Sequence, residues 1–294
     1  MWPAHSRRRL RAQTPVRRSK SDDRRGASVA CLALGVVWGT SFVFTHLAAQ
    51  HFSAAQTTPL RVVFGLIPVV LFALATGAYR LWHLQHLQHF LVMSVSATAL
   101  YYYAYAAGTY RLDSGVAGAL SGSIPLFTFV VPVLMFRTEP FKGRKAVGLG
   151  VGVVGVVVLA QPWAADNDNA SGVLFMMLGS ASLGASFGYA RRFVSPLDIP
   201  VAASATYQMV IAAVGLVLFT DLDGITAIAD DTEALIAVVV GLGAVGTGLA
   251  FILYYMAVSG LGAVTASSAS YIPPAVAMIS GIGFLQEPAT VANL

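Results

Sequence analysis

Long apolar stretches separated by short polar segments fill most of this chain. Nine of them, each of about twenty residues, lie at 27–47, 57–77, 90–108, 114–136, 144–162, 171–190, 200–220, 234–258 and 262–284. A helix rises ~1.5 Å per residue, so a stretch of this length crosses a hydrocarbon core ~30 Å thick. The pattern therefore predicts an all-α membrane protein with nine transmembrane helices.

Composition supports the same fold class. Of the 294 residues, 56% are hydrophobic and only 11% are charged, and the mean hydropathy is +0.71. Such a chain cannot cover a soluble globular surface with polar groups. The single cysteine, Cys31, lies in the first apolar stretch, so it forms no intrachain disulfide and belongs to no Cys-x-x-Cys motif.

The distribution of charge predicts an orientation in the membrane. Nine of the 18 Lys and Arg residues lie between Arg7 and Arg25, and we expect residues 1–26 to form a basic, disordered tail. Alternate loops are basic, at Arg80, 137–145 and 191–192, whereas the loops between them are acidic. The positive-inside rule then predicts a multi-pass protein of the cell (inner) membrane with a cytoplasmic N-terminus. The tail is better explained as an electrostatic anchor than as a nucleic-acid site, so no nucleic-acid partner is expected.

The two halves of the chain resemble each other. SGSIPLFTFVVPVLMFRTEP at 121–140 aligns with ASYIPPAVAMISGIGFLQEP at 269–288, a spacing of 148 residues, and WGTSF at 38–42 aligns more weakly with LGASF at 183–187. Each unit has five helices, an odd number of membrane crossings. The second copy therefore enters the membrane from the opposite side. The pattern predicts an inverted repeat, 27–162 and 171–294, with a substrate site near the midplane at the repeat interface.

The second unit, as written, lacks its last helix. It ends shortly after its Glu-Pro pair, whereas the first unit continues into 144–162. We therefore expect nine transmembrane helices of a complete set of ten. A truncated, non-functional remnant of a transporter stays open as an alternative.

Several motifs carry a resemblance to a known family. They are G-x-x-W-G-x-S-F at 35–42, Arg61 early in the second helix, the stretch 114–139 with its central Pro125, and the long run 246–288. In this order and with this duplication, the chain resembles an EamA-type member of the drug/metabolite transporter superfamily over about residues 27–290. The resemblance implies a ten-helix permease of the bacterial inner membrane. In that family the tenth helix packs beside the fifth and supports assembly more than substrate contact.

Arg61 is the one basic residue that the helix placement buries in the membrane. One interpretation is that its long side chain reaches the headgroups of the outer leaflet. The other is that its guanidinium faces a central cavity and attracts a carboxylate or phosphate of the substrate. Both stay open from the sequence.

Aromatic and small residues complete the candidate site. Tyrosines deep in the third and eighth helices can line a cavity or form an interfacial belt. Gly- and Ser-rich segments around Pro125 and Pro273 allow close helix packing, and the prolines break their helices near the midplane, where backbone groups become available to a ligand. The candidate substrate-binding residues are Trp38, Arg61, Tyr101, Tyr102, Tyr105, Ser121, Pro125, Tyr254, Tyr255, Ser268, Tyr271 and Pro273.

The positions of the acidic residues and histidines limit the substrates and metal sites that we expect. No Asp or Glu lies near the middle of any predicted helix, which disfavours exchange of lipophilic cations on a buried carboxylate. Glu139 is expected to pair with nearby basic side chains, and Glu287 is not expected to gain from its position at a helix C-terminus. The row His83, His86 and His89 is expected to form an interfacial turn rather than a metal site.

These observations predict a secondary transporter that exports small metabolites, such as amino acids or related compounds, by alternating access. A drug exporter or a metabolite importer of the same fold are alternatives. We expect no enzymatic activity, because no paired nucleophile, base or metal constellation is present, and a sensor would need a soluble output domain. No cofactor or metal is expected. The expected partners are the lipid bilayer and a small-molecule substrate, with a homodimer also compatible with the sequence.

Overall fold

A computed structural model describes residues 20–131, 150, 154–155, 158, 167–229, 231–261 and 263–287. In these residues it has eight helices long and apolar enough to cross a membrane. We label them α1 (Arg24–Ala48), α2 (Ala54–Ala75), α3 (Leu81–Thr109), α4 (Ser114–Val131), α5 (Asp168–Leu197), α6 (Val201–Phe219), α7 (Thr232–Leu261) and α8 (Ser268–Leu285).

These eight helices confirm an all-helical, multi-span protein. They overlap eight of the nine predicted stretches. The remaining one, 144–162, lies largely outside the described residues. The nine-helix count, the missing tenth helix and the inverted relation of the repeats therefore stay predictions.

The third helix begins earlier than the sequence predicted. We placed its start at residue 90 and the three histidines in a loop, but α3 starts at Leu81 with a 3₁₀ segment, Leu81–His86, that leads into regular helix at Leu87–Met93. The side chain of His83 is only 1% exposed, whereas that of Leu81 is 89% exposed. The segment is thus amphipathic and extends the helix, which explains why a search for continuous apolar residues missed it.

Several spans depart from regular α-helix. Helix α3 contains π-helical turns at Ser94–Ala99, α5 at Ala190–Val194, and α7 over the long stretch Ile236–Leu249. Helix α4 is interrupted between Ser114–Ser121 and Ile124–Val131, and α8 changes from a 3₁₀ segment, Ser267–Tyr271, to the α-helix Pro273–Leu285. The breaks expected from the prolines in these last two helices are therefore observed.

Short connections place like charges at the same end of the bundle. The turns after α1 and α6 lie at one end, where Gln56 Nε2 donates to the carbonyl of Asp223 at 2.9 Å and His51 Nδ1 lies 3.3 Å from Asp231 Oδ2. Of the described residues, Asp113, Asp168, Asp221, Asp223, Asp231, Glu233 and Glu287 lie at this acidic end. Arg80, Arg191 and Arg192 lie at the opposite, basic end. Between residues 24 and 287, two described residues depart from this separation, Arg111 at the acidic end and Asp198 at the basic end.

Two helices, α1 and α2, each pack against several of the others. Helix α1 packs against α7, α8 and α4, and α2 packs against α7, α6 and α3. Close approach depends on small residues where lipid supplies no hydrophobic drive for association. Gly118 of α4 is an example, because an added Cβ there would overlap the Cβ of Ala277 in α8.

Candidate functional site

Arg61 lies inside the bundle, where α2 faces α3 and α7. Its Nε donates to Thr247 Oγ1 at 2.9 Å and its Nη2 to the carbonyl oxygen of Gly246 at 3.4 Å. The guanidinium carbon lies 4.3 Å from the ring centroid of Tyr102, a distance at which a cation and an aromatic face attract each other. The side chain therefore reaches across to neighbouring helices in this structure.

Both hydrogen-bond acceptors of Arg61 lie in the π-helical turns of α7. Thr247 is fully buried, and its hydroxyl donates in turn to the carbonyl of Leu242 at 2.9 Å, five residues earlier. That bond directs the lone pairs of Oγ1 toward Arg61 Nε. The glycine-rich sequence GLGAVGTGL leaves the carbonyl of Gly246 accessible to a side chain from α2.

The charge of Arg61 has no acidic partner among the described residues. The one ion pair found there is His51 with Asp231, at the acidic end. Both acceptors of Arg61 are neutral, and no described residue accepts a hydrogen bond from Nη1. An unbalanced cation in a membrane interior is costly, which favours a site where an anionic group binds.

A tyrosine cluster extends from Arg61 toward the break in α4. The ring of Tyr102 lies 5.0 Å from that of Tyr101, which lies 4.6 Å from that of Tyr105. The hydroxyls of Tyr105 and Ser180 are 2.9 Å apart, and Ser123 Oγ donates to Ser180 Oγ at 2.9 Å. A continuous chain of aromatic and hydroxyl groups thus connects α2, α3, α5 and the interruption of α4.

The structure brings only part of the predicted site together. Trp38 pairs with Tyr254 at 6.4 Å between ring centroids, and Tyr255 contacts Phe72 at 5.3 Å. These pairs join α1 to α7 and α2 to α7, apart from the tyrosine cluster.

The residues predicted near the two helix breaks are separated. Ser121 and Pro273 are buried and Pro125 is half-buried, whereas Ser268 is exposed and Tyr271 is 67% exposed. The hydroxyls of Ser121 and Ser268 donate to carbonyls of their own segments, Gly118 and Thr265. Within the described conformation, Ser268 and Tyr271 are therefore not part of the group around Arg61.

A small apolar pocket lies to one side of this group. Its volume is about 10 Å³, and it is lined by Val69, Phe72, Ala202, Phe251 and Tyr255, among others. That space holds about one water molecule and no metabolite.

Two residues of this group, Thr247 and Ser180, were not predicted from the sequence, although they contact Arg61 and Tyr105. Ser123 was predicted only as part of the Gly- and Ser-rich segment before Pro125. Ser123 lies one residue after Gly122 in the helix break, and that position is a signal that could have identified it. Thr247 and Ser180 are polar residues in otherwise apolar spans, but nothing in their local sequence indicates which helix they face.

The histidine row makes aromatic and hydroxyl contacts. His89 Nδ1 and the hydroxyl of Tyr189 are 2.8 Å apart, and His86 stacks on His89 with ring centroids 6.2 Å apart. No group of three or more potential metal ligands occurs among the described residues.

Comparison with known proteins places the chain in a family. The sequence profile of the EamA-like transporter family matches residues 25–161 and 170–294. The chain belongs to the EamA-like transporter family. This EamA-like protein is a transporter and not an enzyme, as the resemblance implied.

Relatives of this EamA-like transporter are also named transporters. The chain is 24% identical over 264 residues to an uncharacterized transporter of Archaeoglobus fulgidus, an alignment that covers 90% of this chain and 92% of the relative. It is 22% identical to the uncharacterized inner membrane transporter YedA of Escherichia coli K12, covering 86% and 81% of the two chains. One solved crystal structure, 18% identical, aligns with a TM-score of 0.58 over 92% of this chain and 91% of the other, which supports the fold alone.

Proposed function

We propose that this chain is a secondary transporter that exports small metabolites bearing a carboxylate, such as amino acids or related compounds, across the inner membrane by alternating access. The observation that carries the proposal is the charge of Arg61. It lies among α2, α3 and α7 with neutral acceptors and the face of Tyr102, and with no carboxylate within 4.0 Å among the described residues.

The geometry supports a carboxylate rather than a cationic substrate. A guanidinium offers parallel N–H donors that match the two oxygens of a carboxylate. With Nε held by Thr247 and Nη2 near Gly246, the orientation of the fork is set before a ligand arrives. The neighbouring tyrosine rings offer apolar faces and hydroxyls for the remainder of a zwitterionic metabolite.

Orientation follows from the ends of the bundle. We infer that the basic end, with Arg80, Arg191 and Arg192, faces the cytoplasm together with the N-terminal tail, and that the acidic end faces outward. The repeat architecture is the predicted means of alternating access, since two inverted units can move against each other around a central site.

The experiment compares metabolites inside and outside cells that express the chain. Four forms are expressed at equal membrane abundance: native, Arg61→Ala, Arg61→Lys, and the control Arg111→Ala. Arg111 lies between α3 and α4, where its Nη1 donates to the carbonyl of Ala107 and its charge lies 5.0 Å from the ring centroid of Phe175. The control thus removes one arginine outside the proposed site.

The expected result is a set of carboxylate-bearing compounds enriched in the medium by the native and Arg111→Ala forms only. Arg61→Lys keeps the charge but loses the fork, so we expect a reduced rate. The same compounds exported by Arg61→Ala would remove Arg61 from the substrate path. Depletion of the medium would identify an importer, and no difference from empty cells would contradict the proposed transport.

A further inference from the structure

The first turns of α3 present an apolar surface at the basic end of the bundle. His83 is buried there, but the apolar side chains around it are about half exposed or more. They are Leu81, Trp82, Leu84, Leu87 and Leu91. Residues three apart in a 3₁₀ segment share a face, so Leu81, Leu84 and Leu87 form one line that runs from the helix end toward its middle. We name this line of side chains the leucine line.

A row of aromatic and imidazole rings joins this surface to α5. The ring of Trp82 lies 5.8 Å from that of His86, which stacks on His89 with centroids 6.2 Å apart. His89 in turn stacks on Phe193 of α5 at 6.1 Å. Rings with one apolar and one polar side are enriched at the level of lipid headgroups. We name Trp82, His86, His89 and Phe193 the ring row.

Arginines border both ends of the ring row. Arg191 and Arg192 directly precede Phe193 in sequence, and Arg80 is two residues before Trp82. All three arginines are exposed. One acidic residue, Asp198, follows six residues after Arg192. The ring row is thus bordered by more cationic than anionic side chains, an excess that attracts anionic lipids.

His89 adds a hydrogen-bond donor to this surface. Its Nδ1 lies 2.8 Å from the hydroxyl of Tyr189, and no hydrogen bond joins its Nε2 to a described residue. When the hydroxyl of Tyr189 donates to Nδ1, the imidazole carries a proton on Nε2 and can donate it to an anion. Guanidinium groups donate parallel N–H bonds to phosphate oxygens. The arginines and His89 therefore offer the donors that a phosphate group requires.

We propose that Arg191, Arg192 and His89 bind the phosphate of an anionic phospholipid in the leaflet at the basic end. The acyl chains of this lipid lie along the leucine line, and Trp82 lies beside its glycerol group. Phe193 directly follows the two arginines and stacks on His89, so the three donors come from one contact between α3 and α5.

The class of partner follows from the combination of charge and apolar contact. A soluble anion would leave the leucine line uncovered, and a zwitterionic lipid brings no net negative charge to the arginines. An anionic phospholipid supplies both the acyl chains and the charge. The surface lies at one end of the bundle, apart from Arg61 in its interior, so this inference goes beyond the proposed transport function and does not depend on it.

The test measures which lipid lies next to Trp82. Trp2→Phe, Trp38→Phe and Trp163→Phe leave Trp82 as the single tryptophan and keep an aromatic ring at each changed position. The purified protein is placed in vesicles of phosphatidylglycerol and phosphatidylcholine in equal amounts, and one lipid at a time carries bromine atoms that quench tryptophan fluorescence on contact. One arginine near an anionic surface is worth about fivefold in binding. We therefore expect the quenching to report at least about fivefold enrichment of phosphatidylglycerol beside Trp82.

Substitutions separate a local site from the general charge of the basic end. Arg191→Gln with Arg192→Gln should abolish the enrichment, and His89→Leu should reduce it. The matched control, Arg24→Gln with Arg25→Gln, removes two exposed arginines at the same end, on α1, which packs mainly against α7 and α8. This control should keep the enrichment.

Several results would overturn the proposal. They are equal quenching by the two lipids in the otherwise native chain, enrichment that persists without both arginines or without the imidazole, and an equal loss in the control pair. Absence of quenching by either lipid would place another protein surface, such as a second copy of the chain, on this face and would also overturn it. The measurement requires no transported substrate, so its result is distinguishable from a failure of the transport function.

Discussion

The hydrogen bond between Arg61 and Thr247 allows the site to be tested by one isosteric change. Thr247→Val keeps the volume and the β-branch of the side chain but removes the acceptor 2.9 Å from Arg61 Nε and the donor 2.9 Å from the carbonyl of Leu242. Thr247 is fully buried, so water cannot replace the lost acceptor.

The magnitude follows from the charge on Arg61. A hydrogen bond to a charged group contributes about 1.5–3 kcal/mol, and a buried donor left unpaired costs a similar amount. We therefore expect Thr247→Val to lower the free energy of unfolding by about 1.5–3 kcal/mol. Since Arg61 also loses its fixed orientation, affinity for a carboxylate substrate should fall by about tenfold, which corresponds to about 1.4 kcal/mol.

The assay is denaturant unfolding of the purified protein in a mild detergent, together with substrate binding. Thr40→Val is the matched control, because Thr40 Oγ1 donates only to carbonyls of its own helix, Val36 at 3.2 Å and Val37 at 3.1 Å. That control should change the free energy of unfolding by no more than about 0.5 kcal/mol. Equal effects of the two substitutions, or unchanged binding by Thr247→Val, would refute the argument that Thr247 positions the guanidinium.

Two further predictions concern packing and pH. Gly118→Ala should destabilise the protein by about 1–3 kcal/mol in thermal unfolding, because the new Cβ overlaps that of Ala277. Gly283→Ala meets open space, so it should be neutral or stabilising in the same experiment. An equal loss of stability in both variants would contradict this packing. The backbone N–H of Ala234, followed by that of Glu233 and by His51, lowers the pKa of Asp231 against an opposing effect of burial. The contribution of Asp231 to stability is thus present above its pKa in the unfolded chain, about 3.9, and is lost as the pH falls through its pKa in the folded protein. Asp231→Asn should therefore reduce the loss of stability at acid pH when the free energy of unfolding is measured against pH. An unchanged loss at acid pH would exclude this contribution.

Much of the fold could be predicted because each element depends on its own local sequence. A stretch such as 57–77 is long and apolar enough to require a membrane, and α2 follows it closely. The interruption of α4 near Pro125 follows from the missing N–H of proline. The predicted start of α3, at residue 90, was wrong because the first turns of the helix are amphipathic. These turns are stabilised by burial of His83, which is a tertiary contact.

The site was less predictable because it depends on pairs distant in sequence. Arg61 could be identified as the one basic residue that the predicted helix placement buries. Its partners, Thr247 and Tyr102, belong to two other helices. Glu287 was interpreted from its own helix end, where an acid gains nothing from the dipole, yet it binds the N-terminus of α4. Periodicity and composition describe single helices, and neither contains the packing that creates these contacts.

We propose that Arg61 recognises a carboxylate on the transported metabolite. The direct measurement uses the purified chain in lipid vesicles and compares exchange of a labelled substrate amino acid, identified from the exported metabolites, against competition by the same amino acid and by its carboxamide. The native chain should be inhibited by the amino acid at least about tenfold more strongly than by the amide, and Arg61→Ala should lose this discrimination. Equal inhibition by both compounds in the native chain, or discrimination that persists in Arg61→Ala, would contradict the account.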